Sequence, residues 1–274
     1  MPSLTLDFLG RWLGPLSARC SWIAAAVLVS ARLDANAQVG ATSESGLTIK
    51  LGSTEVQLFI REGPKEAPIY LNLHENERTS VEAARRVLTN CTGSLVRLQG
   101  QGERLMTFYL DKRKYVFDPN RIFTESGLVA TLAKYTHDGD LSKAAAEVRK
   151  LRDEVLALLV ARTGPIVALH NNAASKTFSF ASYEFGAYKE EAKLTKRASG
   201  QPDSAFFLLT NSTTADRLHA AGFNVVLQSL HPTDDGSLSV WSQMQSREYV
   251  NVEAKAGKLD LQRRMLDAVC SVYR

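Results

Sequence analysis

Several short apolar runs recur along the chain: APIYLNL at 67–73, PIVALHNN from 165, AFFLLT at 205–210 and FNVVLQS at 223–229. Runs this continuous, with little polar alternation, mark strands covered on both faces, which constrains the fold more than any other feature. Helical patterns lie between them. Apolar spacing at Val81, Ala84, Val87 and Leu88 predicts a helix over 80–90, and 141–162 predicts the longest one, capped by Asp140 and stopped by Gly164-Pro165. TTADRLHAAG and the segment from Leu259 predict two more. LTIKLGSTEVQLFIREG alternates around Gly52 and reads as a hairpin; SLVRLQG (94–100) and two pieces within 105–118 read as further strands. The polar stretch 187–204 reads as a loop that overhangs a site or merely connects two elements. The chain is therefore expected to be α/β, one domain over 47–274, with a central mixed, mostly parallel sheet flanked by helices.

The first residues follow another logic. Arg11 and Arg19 precede the apolar stretch CSWIAAAVLVSA (20–31), and Ala35-Asn36-Ala37 follows, the pattern of a secretory signal peptide over 1–37. Twelve apolar or small residues are too few to cross a bilayer, which takes about 20, so no stable membrane insertion is expected after cleavage. Residues 38–46, rich in Gly, Ser and Thr, read as a flexible leader. A periplasmic or secreted location follows. Removal of Cys20 leaves Cys91 and Cys270, open to forming one bridge or staying as two buried thiols. The net charge is only +4, and the densest basic cluster, DKRKY at 111–115, is too short to argue for nucleic acid.

Two of the apolar runs end in histidine, at His74 and His170. In α/β sheets, ligand sites collect at the carboxyl ends of strands. His74-x-x-Glu77 offers two metal ligands, and His170 completes a His₂Glu set of the kind that holds catalytic zinc with a fourth position left open. The alternative at each histidine is a hydrogen-bonded core residue. Between them lie Arg113 and Asn120-Arg121; arginine offers a planar fork to a carboxylate, or stabilises an oxyanion beside a metal. Late in the chain Glu253 interrupts an apolar strand. It is either a buried general base with a raised pKa or an edge residue facing solvent with Asn251. No G-x-S-x-G elbow frames Ser175 or Ser179, which argues against a serine hydrolase.

Taken together, H-x-x-E at 74–77, Arg113, NRIF at 120–123, HNN at 170–172 and Glu253 resemble the aspartoacylase and succinylglutamate desuccinylase branch of the zinc carboxypeptidase superfamily. Order and intervals match, with eight residues from Arg113 to Arg121 and 96 between the histidines; the likeness spans roughly 67–255. The resemblance implies one zinc ion held by His74, Glu77 and His170. It also implies that Asn120 and Arg121 grip a substrate carboxylate, that Arg113 polarises the scissile carbonyl and that Glu253 serves as general base. The implied reaction is hydrolysis of an amide bond next to a free carboxylate. Ala168 departs from the pattern, because an acidic residue often stands there to orient the second histidine. The export signal departs too, and shifts the expected substrate from small N-acyl amino acids toward peptides such as peptidoglycan stem peptides. Deacylation of N-acyl amino acids and non-catalytic binding of peptide carboxylates on the same fold are the alternatives.

Overall fold

The computed structural model describes residues 44–173 and 178–274. The expected signal peptide, Cys20, residues 38–43 of the expected leader and Ser175 lie outside the described residues. Eleven strands alternate with helices: β1 (Ser45–Leu51), β2 (Thr54–Arg61), β3 (Ile69–Asn72), α1 (Arg78–Val87), β4 (Ser94–Gln99), β5 (Met106–Leu110), β6 (Arg113–Phe117), α2 (Glu125–Tyr135) and α3 (Leu141–Val160). The chain continues through β7 (Ile166–Asn172), α4 (Phe180–Glu184), β8 (Ala192–Lys196), β9 (Phe206–Leu209), α5 (Ser212–Ala220), β10 (Asn224–Gln228), α6 (Leu238–Met244), β11 (Tyr249–Lys255) and α7 (Leu259–Val272).

Nine of these strands form one sheet in the order β1-β2-β4-β3-β7-β11-β9-β10-β8. The sheet is mixed, as the sequence predicts. Parallel pairings hold its centre, β4 to β3, β3 to β7 and β7 to β11, and β1, β2 and β8 add antiparallel edges. The central strands are buried on both faces, which accounts for their unbroken apolar runs. On one face Leu71, Ile166, Ala168 and Tyr249 pack beneath α3 residues such as Val148 and Leu151; on the other, Val167, Leu169, Val250 and Val252 pack against α1 and α7 residues such as Ala84 and Leu266.

Three segments differ from the sequence expectation. β1 begins at Ser45, so the last residues of the expected leader are already strand. The stretch read as a polar loop contains β8, whose AKLTK sequence suits an edge strand paired only with β10. Helix α2 had no strong apolar period to announce it; Thr124 caps it by accepting from the Gly127 amide. Cys91, just past α1, and Cys270, in α7, are joined in a disulfide, which settles the choice the sequence left open.

Candidate active site

β3 runs out at Asn72, and the turn after it is built around the next two functional side chains. The Glu77 amide donates to the His74 carbonyl at 3.0 Å, and Ser80 Oγ donates to the Glu77 carbonyl at 2.7 Å, so α1 starts with Glu77 at its cap. β7 lies beside β3 and extends past it to carry His170. The buried Gln262 of α7 holds that strand end by donating to the His170 carbonyl at 2.8 Å and accepting from Asn171 Nδ2 at 2.6 Å.

These elements bring His74, Glu77 and His170 together, with one ligand atom from each lying within 4.8 Å of the others. Glu77 sits between the imidazoles: Oε1 is 3.0 Å from His74 Nδ1, and Oε2 is 2.9 Å from His170 Nδ1. On the far side of His74, Nε2 meets Asp118 Oδ1 at 2.8 Å. Burial works against the charge of both carboxyls, yet the imidazoles outweigh it and hold Glu77 and Asp118 well below the usual carboxylate range. Burial pulls His74 the other way, but Asp118 and Glu77 together raise its proton affinity. The cluster is thus an anionic pocket that favours a central cation.

A metal ion fits the donor set. His74 Nδ1 is fully buried and, despite its 3.0 Å approach to Glu77, is not aligned for a hydrogen bond to any group. Nδ1 of His74 and Nδ1 of His170 lie 3.0 and 2.9 Å from the two Glu77 oxygens, so two imidazole nitrogens and a carboxylate converge as a shared ion requires. Asp118 on the opposite nitrogen fixes the ring orientation. This carboxylate was missed in the sequence, although Asp118-Pro119-Asn120-Arg121 places it two positions before Asn120.

Glu253 is neither on an edge strand nor solvent-facing. β11 lies between β7 and β9, Glu253 is paired in register with His170, and the side chain is 5% exposed. Burial pushes its pKa up, with help from the charge of Glu77; His170 and hydrogen bonds from Asn172 Nδ2 (3.1 Å) and Asn251 Nδ2 (3.3 Å) oppose the rise without cancelling it. Asn120 and Arg121 follow Asp118 in one helical turn. Asn120 Oδ1 accepts from the Leu238 amide at 3.1 Å, while Arg121 Nη2 stands 3.5 Å from Asp235. The two segments approach this closely because Gly127 faces Gly236, where a Cβ on Gly127 would come within 2.1 Å of the Gly236 Cα.

Arg113 is not brought to this place. Asp111 and Lys112 take positive φ in the two-residue turn between β5 and β6, which sets Arg113 at the hairpin tip with its side chain 54% exposed and paired with Asp138. Arg104, from the loop before β5, enters instead: Nη1 is 2.6 Å from Glu77 Oε1, and Nη2 is 3.8 Å from Asp118. Glu75 anchors that loop by accepting from the amides of Gly100 (2.8 Å) and Gly102 (2.6 Å) through one oxygen. Glu75→Ala is therefore expected to free Arg104 and lower kcat roughly tenfold or more, with metal content and melting temperature nearly unchanged. Equal loss of metal would show that Glu75 instead supports the ligand turn.

Glu77, His170, Arg104, Arg121 and Glu253 all open onto one cavity of about 730 Å³. Tyr188 and Glu191, from the segment leading into β8, form part of its wall, so that segment does reach the site.

The chain matches no known family profile, and no curated protein sequence matches it. Among solved structures it is similar to a candidate metallopeptidase from Shewanella baltica OS155, with 12% identity over 84% of this chain and 85% of that one, at a TM-score of 0.45. A candidate metallopeptidase from Shewanella amazonensis SB2B shows 16% identity over 84% and 85%, at 0.42. An aspartoacylase family protein from Mesorhizobium loti shows 13% over 82% and 66%, at 0.41. At these identities and scores the likeness carries no functional weight, and the chemistry rests on the side chains themselves. No helix among the described residues is long and apolar enough to cross a membrane.

Proposed function

We propose that this protein is a zinc-dependent hydrolase that cleaves an amide bond next to a free carboxylate. The observation that carries the reading is the convergence of a buried His₂Glu set, a buried carboxylate and two arginines on one cavity. His74, Glu77 and His170 would hold the ion, which when bound supplies Lewis acidity to the scissile carbonyl and to water. Glu253, whose raised pKa suits a base working near neutral pH, takes the proton of the attacking water on its carboxylate and returns it to the leaving nitrogen. Arg121 keeps a guanidinium edge for the substrate carboxylate, and Asn120 fixes its segment. Arg104 supplies a positive charge beside the ligands, where an oxyanion develops.

Peptides are the favoured substrates, peptidoglycan stem peptides among them, acted on outside the cytoplasm. The Cys91–Cys270 disulfide supports this, because such bonds persist in oxidising compartments. Muropeptides, N-acyl amino acids and C-terminally amidated peptides, incubated in parallel with zinc-loaded protein, test the reading. Cleavage of free-carboxylate peptides with the amidated ones spared is the expected result. Cleavage of N-acyl amino acids alone would make the protein a deacylase, and binding without cleavage would make it a carboxylate receptor.

A further inference from the structure

Tyr249, Asn251 and Glu253 project from alternate positions of β11 onto the same cavity, so the Asn251 amide comes within 3.3 Å of the Glu253 carboxylate. Asn251 is 5% exposed, and its two amide atoms are used unequally. Nδ2 donates to Glu253, while Oδ1 is buried with no partner. With Nδ2 turned to the Glu253 carboxyl, Oδ1 is left as an acceptor waiting for a donor.

The charges lining the cavity favour one kind of donor. Among the described residues lining it, the arginines are Arg104, paired with Glu77, and Arg121, 3.5 Å from Asp235, and none is a lysine. Asp235 and Glu191 add carboxylates, each held by a backbone amide, Ser237 for Asp235 and Thr233 for Glu191, at 2.9 Å. Tyr183 and Tyr188 are stacked at 5.2 Å on the wall, an aromatic surface of the kind that takes a cation against its face.

Resting on the hydrolase reading above, we propose that this cavity selects a substrate residue whose side chain ends in a basic nitrogen, as in lysine and other diamino acids. The nitrogen donates to Asn251 Oδ1 and is balanced by Glu191. An aliphatic side chain would leave the buried acceptor unsatisfied, and an acidic one would meet the Glu191 carboxylate.

The test uses free amino acids as product ligands, so it does not depend on turnover. Calorimetric titration of zinc-loaded protein with lysine, norleucine and glutamate is expected to give lysine an advantage of roughly tenfold or more over norleucine, with glutamate weakest. Asn251→Leu should erase the difference between lysine and norleucine. Glu191→Gln, on the cavity wall away from Arg121's ion pair, should weaken lysine severalfold without affecting norleucine, and it serves if the first variant fails to fold. Norleucine equal to lysine, or glutamate favoured, overturns the inference. So does failure of all three to bind, which also removes the carboxylate site beneath it. N-acetyl-lysine and N-acetyl-norleucine hydrolysis separates the two ideas. Equal cleavage sinks the selectivity alone, whereas selective lysine binding with no cleavage of either sinks the hydrolase and leaves the selectivity standing.

Discussion

Glu253→Gln is expected to reduce hydrolysis by roughly 10²–10⁴-fold, the usual share of a positioned general base, while making the metal-free protein more stable at neutral pH. Burial, with the neighbouring charge of Glu77, places the folded pKa above the ordinary value of 4.5. For a carboxyl shifted in that direction the folded state holds the proton more tightly than the unfolded chain. Its contribution to stability therefore declines as pH rises from about 4.5 through the folded pKa, and at neutral pH the buried charge is a net cost. Glutamine keeps the shape and accepts hydrogen bonds from Asn172 or Asn251 without that charge. Melting curves of the two metal-free proteins should diverge above pH 4.5, with the variant higher by roughly 2–4 °C, the size of about 1 kcal/mol in a domain of this length. The wild-type kcat/KM should fall as acid titrates Glu253. A variant that melts lower at neutral pH, or retains more than about a tenth of the activity, would remove Glu253 from the base role.

The second large effect concerns the ligands. Wild-type protein is expected to take up about one zinc per chain, and the His74→Ala, His170→Ala double variant none, by elemental analysis after excess metal is removed. Saturation at a thousand times Kd should add about 4 kcal/mol of stability to the wild type and nothing to the variant. Asp118→Asn should leave all three ligands in place yet weaken binding roughly 10–100-fold, because the ring it orients is freed. Protons compete for the same lone pair: burial lowers the proton affinity of His74, but Asp118 and Glu77 outweigh it, so uptake weakens as pH falls. Zinc retained by the double variant would place the metal elsewhere.

The sheet was legible because its central strands are covered on both faces and must be apolar throughout, and the longest helix because its period persists for 20 residues. His74, Glu77, His170 and Glu253 were legible for a related reason: polar side chains at or near the ends of apolar strands need an explanation. Arg121 was legible too, but the exchange of Arg113 for Arg104 was not. Spacing along the chain cannot reveal that a tight turn carries Arg113 outward while a loop pinned by Glu75 brings Arg104 back. Gln262 and Asn251 were equally hidden, since an amide in a helix or strand looks the same whether it faces water or a buried partner.

The bond between Cys91 and Cys270 closes a covalent ring across 179 positions, and the ligands fall on either side of it. His170 lies within the ring, whereas His74 and Glu77 lie outside, 93 positions from His170 in the case of Glu77. The ring tethers α1, which Glu77 caps, to α7, which holds the His170 carbonyl through Gln262. An ion shared by His74, Glu77 and His170 is then a second tether between segments already joined, and much of the chain entropy it would have to remove is gone before it arrives. Linkage makes the benefit mutual: the oxidised chain grips the ion more tightly, and the ion renders the sulfur–sulfur bond harder to reduce. Oxidation of the cysteine pair and metal loading would thus reinforce each other, leaving the reduced chain a poorer receptor for the ion.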